Sequence, residues 1–379
     1  MRILQLTQRF PPALGGVEEH VLQISHRLAR AGHAVSIFTS DLEKDKPFVR
    51  LPSNPSFCLH GSGIQVTRFT AVRVFDLKHG VGIIIPQMLP ATLKEKVDVV
   101  HAHGFGFWPT YVGMVKKLVD QTPLIITPHS NPGSRDFGLM DFRKLPLKEA
   151  DQIIALTNLE KKHLIWSGVN QNKISVIPNG IDVDKFKPSS DVPTDRNLVL
   201  FVGKINIEHK GVDTLIKSVP LVLRSVPKAK FVLVGPDWGD LAYLKKLSIT
   251  LGVEDYVSFV GSVSETEKIE HLAKARVCVV PSNIEPFGIV VLESMACGKP
   301  VIASRVGGIP EILRNKEHGI LVEAGNPRML SEAISFVLQD SIAATKMSEF
   351  ARREAQKYTW DSVVAQVEKA YKKVCRAMK

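Results

Sequence analysis

Cysteine is scarce in this chain. Four occur in 379 residues, at 58, 278, 297 and 375, and no two stand in a C-x-x-C pair. That excludes a disulfide framework and a zinc ribbon, and it fits a reduced compartment, the cytoplasm being the expected one. Aromatics amount to only 7% and no run of five basic residues occurs, although the formal net charge is +11. A nucleic-acid surface normally combines basic runs with stacking aromatics, so a nucleic-acid partner is not expected. Long apolar runs are missing too. The stretch GVGIIIPQML is cut by Pro86, well short of the ~18–20 residues of a membrane span. At the N-terminus, MRILQLTQRFPP holds an apolar run too short for a signal-peptide core. A soluble or peripheral protein is the expectation.

What is present is ordinary globular material. Hydrophobic residues make up 44% and charged residues 23%, enough to fill about two cores. The basic excess leans to the first half: residues 1–190 carry 23 basic and 16 acidic side chains, the remainder 26 and 22. Such a balance suits polyphosphate substrates or an anionic membrane face.

Periodicity organises the chain into two similar halves. RILQL reads as a strand, PPALGG as a turn, and VEEHVLQISHRLARAG as a helix with Val17, Val21, Ile24 and Leu28 on one face. HAVSIFTS, VDVVHAH, PLIITPH, EADQIIALT and KISVIPNG follow as short Val/Ile-rich strands, with WPTYVGMVKKLVD as a helix among them. After the polar stretch GIDVDKFKPSSDVPTDRN the pattern begins again. NLVLFVGK, AKFVLVGP, YVSFVGSV, RVCVVPS, GKPVIASRVGG and HGILVEAG read as strands, separated by amphipathic helices. Continuous apolar strands alternating with helices predict parallel sheets covered on both faces, an α/β fold in two doubly wound domains. The expected boundaries are residues 1–188 and 192–358, with a final helix over 359–379 packing back on the first domain. Each domain should bind ligands at the carboxyl ends of its strands.

Several turns at those ends could carry chemistry. Gly15 and Gly16 stand directly before a helix, where free amides and the helix dipole favour a phosphate. A plain tight turn is the alternative, and the absence of G-x-G-x-x-G argues against a hydride-transferring dinucleotide enzyme. His101 and His103 end one strand, but no third ligand lies nearby in sequence, so no metal site is expected. His129 ends another strand, as a ligand contact or a packed core histidine. Lys204 and Lys210 follow the strand-ending FVG of the second half, where a diphosphate would lie. One such charge at about 4 Å is worth roughly 4 kcal/mol at an effective dielectric near 20. In EPFGIVVLE, Glu285 precedes Pro286, a natural first helical residue, and Glu293 lies further along the same helix. Glutamates eight apart are common, and a solvated helix acid is the ordinary explanation of either.

Together these blocks resemble the retaining glycosyltransferases of family 4, which have the GT-B fold: two Rossmann-like domains facing across a cleft. The resemblance rests on the Gly15-Gly16 turn, VIPNGIDVDKF, FVGK with Lys210-Gly211, FVGSVS, EPFGIVVLESMACGKPVIAS, GGIPEIL and GILVEAGN, in that order over most of the chain. It implies that Glu293 binds the donor ribose and Glu285 the hydroxyls of the transferred sugar. Amides of Phe287, Gly288 and Ile289 would hold sugar and diphosphate, Lys204 and Lys210 the leaving diphosphate, and Gly15 and Gly16 would approach it from the other domain. His129 would contact the sugar and help orient the acceptor. Two positions depart from the family pattern. Lys204 stands where Arg is common and cannot make a bidentate fork, and Ser130 follows the histidine where Asp is frequent.

The implied reaction moves a hexosyl unit from a UDP- or GDP-sugar to an acceptor hydroxyl with retained configuration, without metal or other cofactor. The acceptor would be a sugar, a lipid-linked group or a small molecule. Competing readings are a nucleotide-sugar epimerase or phosphorylase of the same fold, and a non-enzymatic basic module binding nucleic acid or membrane. RDFGLMDFRKLPLKEA, residues 135–150, mixes cations with Phe, Leu and Met and reads either as a peripheral membrane contact or as a solvated loop-helix.

Overall fold

A computed structural model describes all residues except 14, 45–47, 53–56, 60–62, 78–79, 131–141, 190 and 378–379. The chain divides into two units, Met1–Gly180 with Trp360–Lys379, and Ile181–Thr359. Both are α/β, built on parallel sheets with helices on their faces.

The sheet of the first unit has eight strands. Across it run Ile174–Val176, Gln152–Ala155, Leu124–Thr127, Val99–His103, Arg2–Leu6, Ala34–Ser40, Ile64–Phe69 and an antiparallel edge, Phe57–Leu59. Strand alternation decides which helix each side chain meets. Ile3, Val99 and Ile125 pack with Val21, Ile24 and Leu28 of helix Gly16–Arg30, and with Val363, Val367 and Val374 of helix Trp360–Ala377. Leu4, Val100 and Ala102 face the opposite way into a second cluster, with Val112 of helix Trp108–Asp120. Gln5 stands opposite His101, and His103 opposite Thr127, so all four side chains fall on the face that the terminal helix covers.

In the second unit six parallel strands run in the order Val257–Gly261, Lys230–Val234, Leu198–Val202, Val277–Val280, Val301–Ser304, Gly319–Val322. Chain direction across the sheet reverses between Leu198–Val202 and Val277–Val280. That is the switch point at which doubly wound sheets bind ligands, outside the carboxyl ends of the strands. One core joins Val199, Phe201, Phe231, Val277, Val279 and Ile302 to helix Val212–Ser225, which carries Pro220 internally, and to helix Pro327–Gln339.

Some local expectations change. Helix Ile289–Ala296 starts three residues after Pro286, because Gly288 takes φ 103° and caps it from a left-handed position. Lys210 does not sit in a loop but ends a short helix, Ile207–Lys210. The antiparallel pair Val72–Leu77 and Gly80–Ile84 was not foreseen, nor was helix Ser341–Ala355. Of the stretch 135–150, residues 135–141 lie outside the described residues. The rest forms a turn, Phe142–Lys144, and a short helix, Leu145–Glu149, with Phe142 and Leu145 exposed and Lys144 buried. Among the described residues no helix is long and apolar enough to cross a membrane.

Candidate active site

The second unit gathers four of the expected residues around its switch point. Strand Leu198–Val202 ends at Gly203, and Lys204 leaves it with its ammonium 3.8 Å from the centre of the Trp238 ring. Asn206 then caps the short helix, its side chain accepting from the His209 amide at 2.8 Å. Gly211 follows with φ 58°, and a Cβ there would lie 2.2 Å from the carbonyl oxygen of Pro281. Only glycine lets the short helix lie so close to the neighbouring strand end. His209 O accepts from the amides of Asn283 and Ile284 at 2.9 and 3.0 Å, which ties the two loops together.

That clamp brings two distant charges into contact. Lys210 Nζ donates to Glu285 Oε2 at 2.6 Å, both side chains being mostly buried. The backbone of Glu285 is fixed from behind, where Gly308 N donates to its carbonyl at 3.2 Å. Gly307, at φ 53°, leaves no room for a side chain: a Cβ there would stand 1.7 Å from that same oxygen.

Beyond Gly288, the amides of Phe287, Gly288 and Ile289 have no partner among the described residues. They form the electropositive start of an apolar helix. Glu293 lies inside that helix, 6% exposed, and accepts from Lys268 Nζ at 2.7 Å. Cys278 and Cys297 lie nearby in the core, their thiols pushed up to about 12 by burial, so neither is a nucleophile at neutral pH.

The first unit holds a cluster of histidines at its own switch point, between strands Arg2–Leu6 and Val99–His103. His101 uses both ring nitrogens, Nδ1 with Tyr371 Oη at 2.7 Å and Nε2 with Thr127 Oγ1 at 2.8 Å. His103 meets Gln5 Oε1 through Nε2 at 2.8 Å and His129 Nε2 through Nδ1 at 3.2 Å. His20, from the first helix, meets Asn179 Oδ1 through Nδ1 at 2.6 Å, and its ring stands edge-on to His129 at 4.8 Å. Burial lowers all four pKa values, that of His20 to about 4, so the rings are neutral at physiological pH. His129 sits at φ 51° and is half-buried, the one member of the group open to solvent.

A third ligand for a metal does come together here, contrary to the count made along the sequence. His20, His103 and His129 bring ligand nitrogens within 4.8 Å of one another. Tetrahedral zinc with bonds of 2.0–2.1 Å holds its ligands about 3.4 Å apart. His103 Nδ1 and His129 Nε2 are 3.2 Å apart and in direct contact, while His20 Nε2 is buried without a hydrogen-bond partner among the described residues.

Gly15 caps the first helix in an extended conformation, but the expected phosphate position next to it is shared. A Cβ on residue 15 would lie 2.2 Å from Glu18 Oε2, and that carboxylate is held by Arg9 at 2.8 Å. The protein's own carboxylate thus lies against this helix start, paired with Arg9.

With this geometry in view, the comparisons with known proteins decide the family. Residues 14–185 match Glycosyltransferase Family 4 and residues 182–354 match Glycosyl transferases group 1. The chain belongs to this glycosyltransferase family. An uncharacterized glycosyltransferase of Methanocaldococcus jannaschii is 30% identical over 403 residues, covering 98% of each chain. A phosphatidylinositol N-acetylglucosaminyltransferase gpi3 subunit of Schizosaccharomyces pombe is 27% identical, over 97% of this chain and 79% of that one. Among solved structures, Anabaena HepE in complex with UDP-glucose superposes with a TM-score of 0.78 at 21% identity, over 98% of this chain and 100% of that one. The likeness to that structure extends to the GT-B fold.

Several residues around the candidate site of this glycosyltransferase escaped the sequence reading. Lys268 and Trp238 come from segments with no motif, and Gln5 and Tyr371 are 366 positions apart. Glu18 had a signal that went unused, since an acid in the first turn of a helix after Gly-Gly competes for that helix start.

Proposed function

We propose that the chain transfers a hexosyl unit from a UDP- or GDP-sugar to an acceptor hydroxyl, with retention and without a metal. The observation that carries this reading is the Lys210–Glu285 pair, a cation and a carboxylate joined at 2.6 Å at the switch point of the second unit. A sugar diphosphate has complementary parts, anionic oxygens for the lysine and hydroxyls for the glutamate.

The roles follow from the donor's chemistry. Lys204 and Lys210 neutralise the charge that grows on the leaving diphosphate, and the amides of Phe287, Gly288 and Ile289 add preorganised donors. Glu293 accepts from the ribose hydroxyls and Glu285 from those of the transferred sugar. The protein's own cations thus take the part that a divalent ion plays elsewhere. Among the described residues no carboxylate stands free to act as base beside Lys210, since Glu285 is already engaged. The departing phosphate therefore takes the acceptor's proton as the new bond forms on the same face of the sugar. His129 in the first unit orients the acceptor hydroxyl through its open ring edge.

HepE's complex with UDP-glucose supports the choice of donor class, and the name of the gpi3 relative supports a hydroxyl of an inositol-bearing acceptor. The test is a thermal-shift panel of UDP-, GDP- and ADP-sugars, followed by NMR of the product's anomeric centre. A binding donor and a product of the donor's anomeric configuration are expected. An inverted product would overturn the mechanism, and isomerised donor in the absence of acceptor would point to an epimerase.

A further inference from the structure

The histidine cluster is wired to the terminal helix. Tyr371 is fully buried near the C-terminal end of that helix. Gln5 Nε2 donates to its hydroxyl at 3.1 Å, and the hydroxyl is 2.7 Å from His101 Nδ1. At the other end of the amide, Gln5 Oε1 is 2.8 Å from His103 Nε2, and His103 Nδ1 is 3.2 Å from His129 Nε2.

Proton positions propagate along such a chain. An amide oxygen only accepts, so His103 carries its proton on Nε2 and presents a lone pair at Nδ1. Across the next contact His129 must then donate, with its proton on Nε2 and its lone pair on Nδ1. Turning the Gln5 amide over would reverse every assignment, placing the His129 proton on Nδ1. In the structure Gln5 Nε2 faces the Tyr371 hydroxyl and donates to it at 3.1 Å, which fixes the first of the two orders. With the phenol oxygen accepting there, its own proton goes to His101 Nδ1, and His101 Nε2 donates to Thr127.

We propose that Tyr371 and Gln5 are positioning residues that lock His129 in the Nε2-protonated tautomer. This rests on the acceptor-side role given to His129 above. Nδ1 of His129 has no partner among the described residues, and the ring is half-buried. In this tautomer it offers a lone pair to an incoming hydroxyl. In the other it would offer a proton and repel the same hydroxyl's hydrogen. Because burial keeps the cluster neutral, the choice is between two tautomers and does not involve an imidazolium.

The experiment is a long-range ¹H–¹⁵N correlation spectrum of ¹⁵N-histidine-labelled protein at pH 7.5, with His129 assigned by the signals lost in His129→Gln. Wild-type protein is expected to show His129 Nε2 in the protonated range and Nδ1 in the lone-pair range. A wild-type spectrum with the two exchanged overturns the proposal without any variant. Tyr371→Phe leaves a buried amide N–H without its acceptor, and buried orphan donors are rarer than under-satisfied oxygens. Gln5 should therefore turn over, and the two His129 signals should exchange ranges. Acceptor KM should rise and kcat fall by about tenfold or more, as wrong-tautomer histidines do elsewhere, while donor KM stays unchanged. His129 signals unmoved in a folded Tyr371→Phe protein would sink the proposal and leave the role of His129 standing. Full transferase activity in His129→Gln would do the reverse, removing that role while the spectral result stands.

Discussion

Lys268 Nζ lies 2.7 Å from Glu293 Oε1 and 4.9 Å from the centre of the Phe186 ring. A carboxylate this deeply buried is costly without a partner, and the lysine stabilises its charge and sets its rotamer. Lys268→Met keeps the packing stem and removes the ammonium. Hydrogen bonds to charged groups are worth roughly 1.5–3 kcal/mol, so donor affinity should fall by about tenfold or more. Isothermal titration with UDP would show it. Unchanged affinity would mean that Glu293 needs no such support.

Lys204 rests on the Trp238 face and is given to the leaving phosphate. Lys204→Ala should lower kcat by about 10²–10³, the usual cost of one preorganised charge-stabilising donor, and leave the thermal midpoint almost unmoved. Lys204→Arg should recover part of the loss. Full turnover in the alanine variant would remove Lys204 from the leaving-group site.

Gly307 supports Glu285 through empty space. Gly307→Ala puts a Cβ on a left-handed residue and against the Glu285 carbonyl, so the loop carrying Glu285 must move. Displacements of about 1 Å at a reacting centre can cost roughly 10² in rate. We expect kcat/KM to fall about that far while a folded protein remains, checked by circular dichroism on the same sample. The same change at Gly325, with open space around its missing Cβ, should leave kcat/KM intact.

The buried histidines make stability depend on pH. His20 has its pKa lowered to about 4, and His101, His103 and His129 are lowered well below 6.5, all chiefly by burial. In the unfolded chain these rings regain a value near 6.5. Below that pH the unfolded state binds protons that the folded state refuses, so stability falls as pH falls. Urea midpoints should be flat above about pH 7 and drop steadily from about 6.5 towards 4. Midpoints that stay level across that window would contradict neutral, buried rings.

Much of this was open to reading in one dimension. Runs such as VCVV and VIAS read as strands buried on both faces, and their alternation with amphipathic helices predicted parallel sheets. Lys204 and Lys210 stood out because they follow a strand end, where ligands collect, whereas Glu285 and Glu293 became site candidates through the family resemblance and not through their spacing. Pro286 misled, since its preference for the first helical turn lost to Gly288, whose positive φ starts the helix three residues later. The histidine pair misled as well. A count along the sequence finds no third nitrogen near His101 and His103, yet strand pairing and the first helix deliver His129 and His20.

The sequence by itself determined the two α/β units, the family and the residue types at the strand ends, because periodicity and motif spacing are local properties of the chain. Only the tertiary structure decided which charges meet. Lys268 on Glu293, Lys210 on Glu285, and Tyr371 on Gln5 join residues 25, 75 and 366 positions apart. Those partnerships follow from strand order and helix packing, and no local pattern along the chain encodes them.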